Sequence, residues 1–301
     1  MSTNAARALL GSLIDYAGLF PPAELPMRAA VARYASSRSG QDAWMLGRFV
    51  LPLARVEEFE HAFDELHAGR RAKPWPIAVI GGKNLEADAK AIVDFNNRHG
   101  DEGGQDARIE SVDVVVHGLD DIARAADVLA EPAELFFETA IEADPSETLA
   151  AAADVGGRAK IRTGGVTADR FPSVHDLARF LVACASEKVA FKATAGLHHP
   201  IRSVHRMTAD GRSPAVKMHG FLNLFLAAAL AFRHAVRADT LEAVLSEESP
   251  DAFVFDENGV EVKGCRLASE EIASTRQSFA LSFGSCSFDE PAADLKTLGI
   301  I

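Results

Sequence analysis

Eight short apolar runs punctuate the chain, and helical patterns fill the stretches between them. The runs are Leu13–Tyr16, Trp44–Leu51, Ile77–Ile80, Ile109–Val116, Leu135–Glu138, Ala159–Thr163, Phe191–Thr194 and Phe279–Phe283. Buried strands of a parallel sheet read as continuous apolar runs, because both of their faces are covered. The intervening segments carry apolar residues at helical spacing: Val56, Phe59, Phe63 and Leu66 in one, and Val174, Leu177, Ala178, Leu181, Val182 and Ala185 in another. Ser173 with Asp176 forms a helix start, and Asp144-Pro145-Ser146-Glu147 predicts another with Asp144 as its cap. Most runs recur at about 25–33 residues, the length of one strand plus its crossover helix. Eight such units predict an α/β fold, a closed (β/α)8 TIM barrel, as one domain over residues 1–301. An open doubly wound sheet is the second choice. Its glycine-rich first crossover has no counterpart in Asp15-Tyr16-Ala17-Gly18-Leu19.

The interval between the seventh and eighth runs is much longer. It predicts an insertion over about residues 198–277, read as a cap over the barrel mouth or a subunit contact. Within it lie a very apolar helix from Val216 to Ala235 and a hairpin, Phe253–Phe255 and Val260–Val262, around Asp256-Glu257-Asn258-Gly259. A further helix follows from Ser269 to Arg276. The apolar helix has an equal alternative, that of the seventh barrel helix buried on all sides. The glycine-rich stretch His99–Gln105 precedes the fourth strand, at the amino-terminal face, and is discounted as a phosphate loop.

Charge narrows the partners. A net charge of -12 makes nucleic acid and an anionic membrane surface poor partners, and leaves a small anionic substrate at a local basic site. Cys184, Cys265 and Cys286 are too sparse for a disulfide framework, and no leader or membrane span is visible. A cytoplasmic homo-oligomer is expected. No nucleotide motif is present, so no cofactor is expected.

Side chains at the strand ends of a barrel converge on one mouth. The fifth strand ends in Glu138. The sixth reads Lys160-Ile161-Arg162-Thr163-Gly164, and the seventh reads Lys192-Ala193-Thr194-Ala195-Gly196. A period of two puts Lys160 with Arg162 and Lys192 with Thr194. A buried unpaired lysine is costly, so two on adjacent strands form an unusual pair. A neighbouring cation and desolvation both favour the neutral amine, which condenses with a carbonyl to form a Schiff base. Glu138 is the candidate proton carrier or counter-ion. Two plainer readings stand beside this one. The cations bind a phosphate or carboxylate with no covalent step, or one of them faces outward against a helix.

These strands resemble those of the deoxyribose-phosphate type of class I aldolase. Lys160-Ile161-Arg162-Thr163-Gly164 is similar to their Schiff-base strand, Lys192 with Gly196 to the next strand, and Gly284-Ser285-Cys286-Ser287 to the last. The resemblance implies Lys160 as nucleophile, Lys192 as tuning cation, and a phosphate-receiving turn at Gly284 and Ser285. The fourth-strand carboxylate of that family has Asp113 and His117 as candidates here. Arg162 replaces a small hydroxyl residue, Ala195 interrupts a glycine pair, and His198 stands where a basic residue usually follows. Fewer glycines bring less backbone to a phosphate, and Arg162 offers a fork for a carboxylate. The implied activity is that of a lyase acting on a small aldehyde or 2-oxo acid. Candidate substrate-binding residues are Arg162, Thr163, Gly164, Thr194, Gly196, His198, Gly284, Ser285 and Asp15.

Other readings remain open. A metal-dependent barrel hydrolase would draw ligands from His198, His199, His117 and Asp15. Cys286 is a candidate nucleophile in its serine-rich turn, and a small packed cysteine in the plainer view. A non-enzymatic protein binding a small acid, or an oligomeric scaffold, is the third. Asp15-Tyr16 and Pro21-Pro22, after the first strand, predict a stiff rim loop or an ordinary turn into the helix near Pro26.

Overall fold

The computed structural model describes residues 2–67, 74–100, 106–141, 144–207 and 213–301. Residue 1, most of the glycine-rich stretch (101–105) and part of the predicted insertion (208–212) lie outside them. Helix α1 (Asn4–Leu10) leads into β1 (Ile14–Tyr16), and α2 (Met27–Arg38) follows. Next come β2 (Leu46–Pro52), α3 (Val56–His67), β3 (Trp75–Ile80), α4 (Leu85–Gly100), β4 (Ala107–Val115) and α5 (Leu119–Leu129). The chain continues through β5 (Glu134–Thr139), α6 (Ser146–Asp154), β6 (Arg158–Arg162), α7 (Val174–Glu187) and β7 (Phe191–Thr194). The insertion holds the β8 (Ser203–Arg206) and β9 (Ala215–Met218) hairpin, α8 (Phe221–His234) and α9 (Ala238–Leu245). It also holds the sheet of β10 (Phe253–Phe255), β11 (Gly259–Val262) and β12 (Cys265–Ala268), and then α10 (Ser269–Ser278). β13 (Ala280–Ser285) closes the barrel between β7 and β1, and α11 (Asp289–Thr297) ends the fold.

The eight strands β1–β7 and β13 pair in parallel around a closed circuit, which makes the protein a TIM barrel. Apolar residues that alternate with inward polar ones face the helices. Phe49 and Trp75 meet Tyr34, Phe59 and Phe63 in one aromatic cluster. On α7, Leu177, Ala178, Leu181 and Cys184 are buried, whereas Val182 of the predicted stripe is exposed. Ser173 caps this helix by accepting from the Asp176 amide. Asp144 is not the predicted cap of α6, because Pro145 takes that position; the Asp144 carboxylate accepts instead from the Ser146 amide at 3.0 Å.

The predicted insertion divides into three parts. Helix α8 is buried from Phe221 to Ala231, packs against α7, α9 and α10, and stacks Phe221 on Phe283 of β13. It is therefore a barrel helix, with no apolar face left for another subunit. The β10–β12 sheet packs against α1, α8 and α10. The β8–β9 hairpin reaches the mouth, where Met207 and Met218 line the cavity. Among the described residues no helix is long and apolar enough to cross a membrane.

The amino-terminal end of the barrel is closed by arginines. Arg48 reaches Glu110 at 2.9 Å and Glu134 at 3.3 Å, and Arg158 reaches Glu134 at 2.8 Å. A bulge in β4, where Ile77 pairs with Ile109 but Ala78 pairs with Ser111, leaves Glu110 out of register. Below this network Arg276 donates to the carbonyls of Leu9, Gly11, Ala280 and Leu281. Burial pushes its guanidinium down to about 10, still far above neutrality.

Candidate active site

The carboxyl ends of the strands enclose a cavity of about 360 Å³. That is near the lower end of the range for small-molecule sites, about 300–1,000 Å³. Sheet register builds its floor. Glu138 pairs with Lys160 across β5 and β6, and Lys160 pairs with Lys192 across β6 and β7. Three charged side chains thus stand side by side on adjacent strands. Ala159, Ile161 and Phe191, their alternating neighbours, are buried away from the cavity.

Asp113 of β4 completes the group. Its carboxylate lies between the lysines, 3.0 Å from Lys160 Nζ and in direct contact with Lys192 Nζ. Lys160 has a second carboxylate, Glu138, at 2.8 Å. Lys192 has no second one among the described residues; its Nζ lies over the Phe136 ring, 4.1 Å from the centroid. Burial opposes charge on Asp113, yet the two lysines outweigh it and hold the carboxyl below its usual range. Burial likewise opposes charge on Glu138, and Lys160 and Arg162 overcome it. The lysines diverge. For Lys160, Asp113 and Glu138 overcome burial and hold the amine charged beyond its usual range. For Lys192, burial prevails over Asp113 and Asp15, Lys160 adds to it, and the amine is lowered.

Asp15 forms the other side of the floor, accepting from Ser282 Oγ at 2.7 Å and from the Arg48 amide at 2.8 Å. It fits because residue 47 is glycine; a Cβ there would lie 2.3 Å from Asp15 Oδ1. Arg162 stands at the rim, bonded to Glu138 at 3.2 Å. His198, after the neighbouring strand β7, lies 4.0 Å from Cys286 Sγ and 3.5 Å from Glu290. Burial works against a charged imidazole, but Cys286 and Glu290 raise His198 to about 9.

The predicted Asp15, Glu138, Lys160, Arg162, Lys192, Thr194, Gly196, His198 and Gly284 all line this one cavity. Thr163, Gly164 and Ser285 do not. Thr163 is fully buried and donates to the Ala195 carbonyl. Gly164 is pressed against Gly196, where a Cβ would come within 2.7 Å of the Gly196 Cα. Ser285 Oγ turns to the Ser287 amide. His117 is exposed and away from the cavity, with its amide on Asp121. His199 is engaged by Asp294 at 2.7 Å. Among the described residues no three His, Cys, Asp or Glu side chains are grouped to hold a metal ion.

The sequence reading left Asp113 as one of two candidates, and no motif marks it. The signal was a lone carboxylate inside the apolar run Val112-Asp113-Val114-Val115, costly unless paired. The apolar wall of Phe20, Val50, Ile80, Phe171, Met207 and Met218 was not foreseen. Comparison of the chain with known protein families and with curated proteins finds no match.

Proposed function

We propose that the protein is a class I lyase that forms a Schiff base between a lysine of the pair and a small aldehyde or 2-oxo acid. One observation carries this reading: a single buried carboxylate, Asp113, bridges two lysines, of which, among the described residues, only Lys160 has a second carboxylate. That asymmetry divides the roles. Lys192 is the amine nearer neutrality, Lys160 the retained proton source, and Glu138 the retained base. The resemblance to deoxyribose-phosphate-type aldolases names Lys160 as nucleophile; the surroundings of the two amines favour Lys192.

The Lys192 lone pair adds to the carbonyl carbon, and the carbonyl oxygen takes a proton from Lys160. A second proton transfer expels that oxygen as water and leaves an iminium. In the cleavage direction Glu138 removes the proton of a hydroxyl two carbons from the iminium carbon. The intervening C–C bond breaks, its electron pair passes toward the iminium nitrogen, and an aldehyde departs. The resulting enamine is protonated on carbon, and water hydrolyses the iminium to free the amine. Arg162 at the rim suits a carboxylate.

Borohydride reduction in the presence of small aldehydes and 2-oxo acids, followed by peptide mapping, tests the proposal. The expected result is a substrate-sized mass on Lys192. A mass on Lys160 keeps the chemistry and restores the assignment given by the resemblance. Absence of any adduct across the panel removes the lyase reading.

A further inference from the structure

Above the charged floor the cavity turns apolar. Phe20 stands on the loop after β1 and Phe171 on the loop after β6, and Met207 and Met218 belong to the β8–β9 hairpin. Met207 and Met218 are 8% and 4% exposed, so this hairpin is laid against the mouth. Val115 and Val166 continue the surface to the rim, where both are more than half exposed. Methionine is unbranched and fills irregular gaps, which suits a wall that accepts a flexible chain.

The places where a phosphate would bind are occupied. Gly164 and Gly196 pack on each other, which leaves no backbone cradle between them. In the turn after β13, Ser285 Oγ accepts from the Ser287 amide and Ser287 Oγ accepts from the Glu290 amide. The Glu290 carboxylate then stands 3.5 Å from His198 and neutralises the cation nearest that turn. A dianion placed there would meet the Glu290 carboxylate, and backbone amides that already donate to the serine hydroxyls.

From this we infer that the substrate is an unphosphorylated carbonyl compound with an apolar tail, and that Met207, Met218, Phe20 and Phe171 form the tail subsite. The inference rests on the lyase reading for the carbonyl end and stands on its own for the tail. The carbonyl carbon sits at the lysine pair and the chain runs outward, past the methionines, to Val115 and Val166.

The full chain is titrated with pyruvate, 2-oxohexanoate and glyceraldehyde 3-phosphate under borohydride, and adduct is read by intact mass. Propionate and octanoate are compared by calorimetry without reductant. Half-maximal adduct is expected at a concentration at least tenfold lower for 2-oxohexanoate than for pyruvate. Met207→Ala and Met218→Ala are each expected to cut that ratio threefold or more. Equal trapping of the two oxo acids, or preference for the phosphorylated aldehyde, overturns the tail subsite and leaves the Schiff base standing. No adduct, with octanoate still at least tenfold tighter than propionate and weakened by Met218→Ala, overturns the lyase and supports the subsite. No adduct and no octanoate preference overturns both.

Discussion

The two ends of the barrel solve the same problem, charge inside a sheet, with different residues. At the amino end Arg48 and Arg158 meet Glu110 and Glu134. At the carboxyl end Lys160 and Lys192 meet Asp113 and Glu138. Strands β5 and β6 contribute to both, since Glu134 and Glu138, and Arg158 and Lys160, are spaced evenly along them. An arginine stays charged at any physiological pH and offers a fork of donors, so the amino-end network is fixed. A buried lysine can lose its proton, so the carboxyl-end network can change state. Arginine at one end closes the barrel; lysine at the other leaves a group able to react.

The sharpest way to break this comparison is to delete one cation from each end. Lys192→Met is expected to remove borohydride-trapped adduct by about a thousandfold or more, as loss of a nucleophile does. It leaves Asp113 paired with Lys160, so the thermal midpoint moves little. Arg48→Met strands Glu110, leaves Glu134 to Arg158 alone, and is expected to cost about 2–3 kcal/mol, between the values for exposed and buried pairs. That lowers Tm by about 3–5 °C for a chain of this size, with trapping per folded molecule kept. If the two variants exchange phenotypes, the distinction between the ends fails.

Removing the shared anion comes next. Asp113→Asn leaves two buried amines facing one another and is expected to cost about 3–5 kcal/mol near neutral pH. The sign of its pH dependence follows from proton counting. In the variant a folded lysine sits below its unfolded value, the unfolded chain binds more protons between the two, and stability rises with pH across that interval. Thermal melts from pH 6 to pH 10 read this directly. A flat profile would mean that neither lysine sits below its unfolded value in the variant.

The pH profile of trapping in the unaltered protein separates the two amines. Lys192 is lowered from the model-compound value of 10.5 and Lys160 is raised from it. Attack needs the neutral amine, so the initial rate is expected to climb with pH and level off below 10.5 if Lys192 reacts. A rate still climbing beyond that value would assign the reaction to Lys160.

How far the sequence led differs between the two ends for the same physical reason. The barrel was legible because its strands are apolar runs and most of its returns are amphipathic helices, α8, buried from Phe221 to Ala231, being the exception. The lysines were legible because period-two spacing aligns Lys160 with Arg162 and Lys192 with Thr194 on strands that had to be neighbours. Arg48 was not, and Asp113 was legible only as one of two candidates, since each sits alone within an apolar run and finds its partner on a different strand. The β4 bulge at Glu110 also breaks the parity that a period-two argument needs. The contact between His198 and Cys286 joins residues far apart in the chain, so no local pattern could carry it. The β8–β9 hairpin has few apolar residues, and only the fold shows that Met207 and Met218 reach the mouth.

The smallest expected effect concerns the turn that joins the reactive floor to the rim. Ala195 and Gly196 both adopt left-handed backbone, with φ of 61° and 75°. An alanine there is strained by about 1 kcal/mol, so something outside the turn has to hold it. Thr163 does so: its hydroxyl, fully buried, donates to the Ala195 carbonyl and fixes Gly196 against Gly164. Thr163→Val keeps the shape and removes only that donor, at an expected cost of about 1–2 kcal/mol. Thr194 and His198 flank the turn, so its loosening should widen the mouth without touching either lysine. Trapping is therefore expected to need a several-fold higher substrate concentration while the maximal amount of adduct is kept. Loss of maximal adduct instead would mean that the turn positions Lys192 itself, and that the rim and the floor of the carboxyl end are one unit.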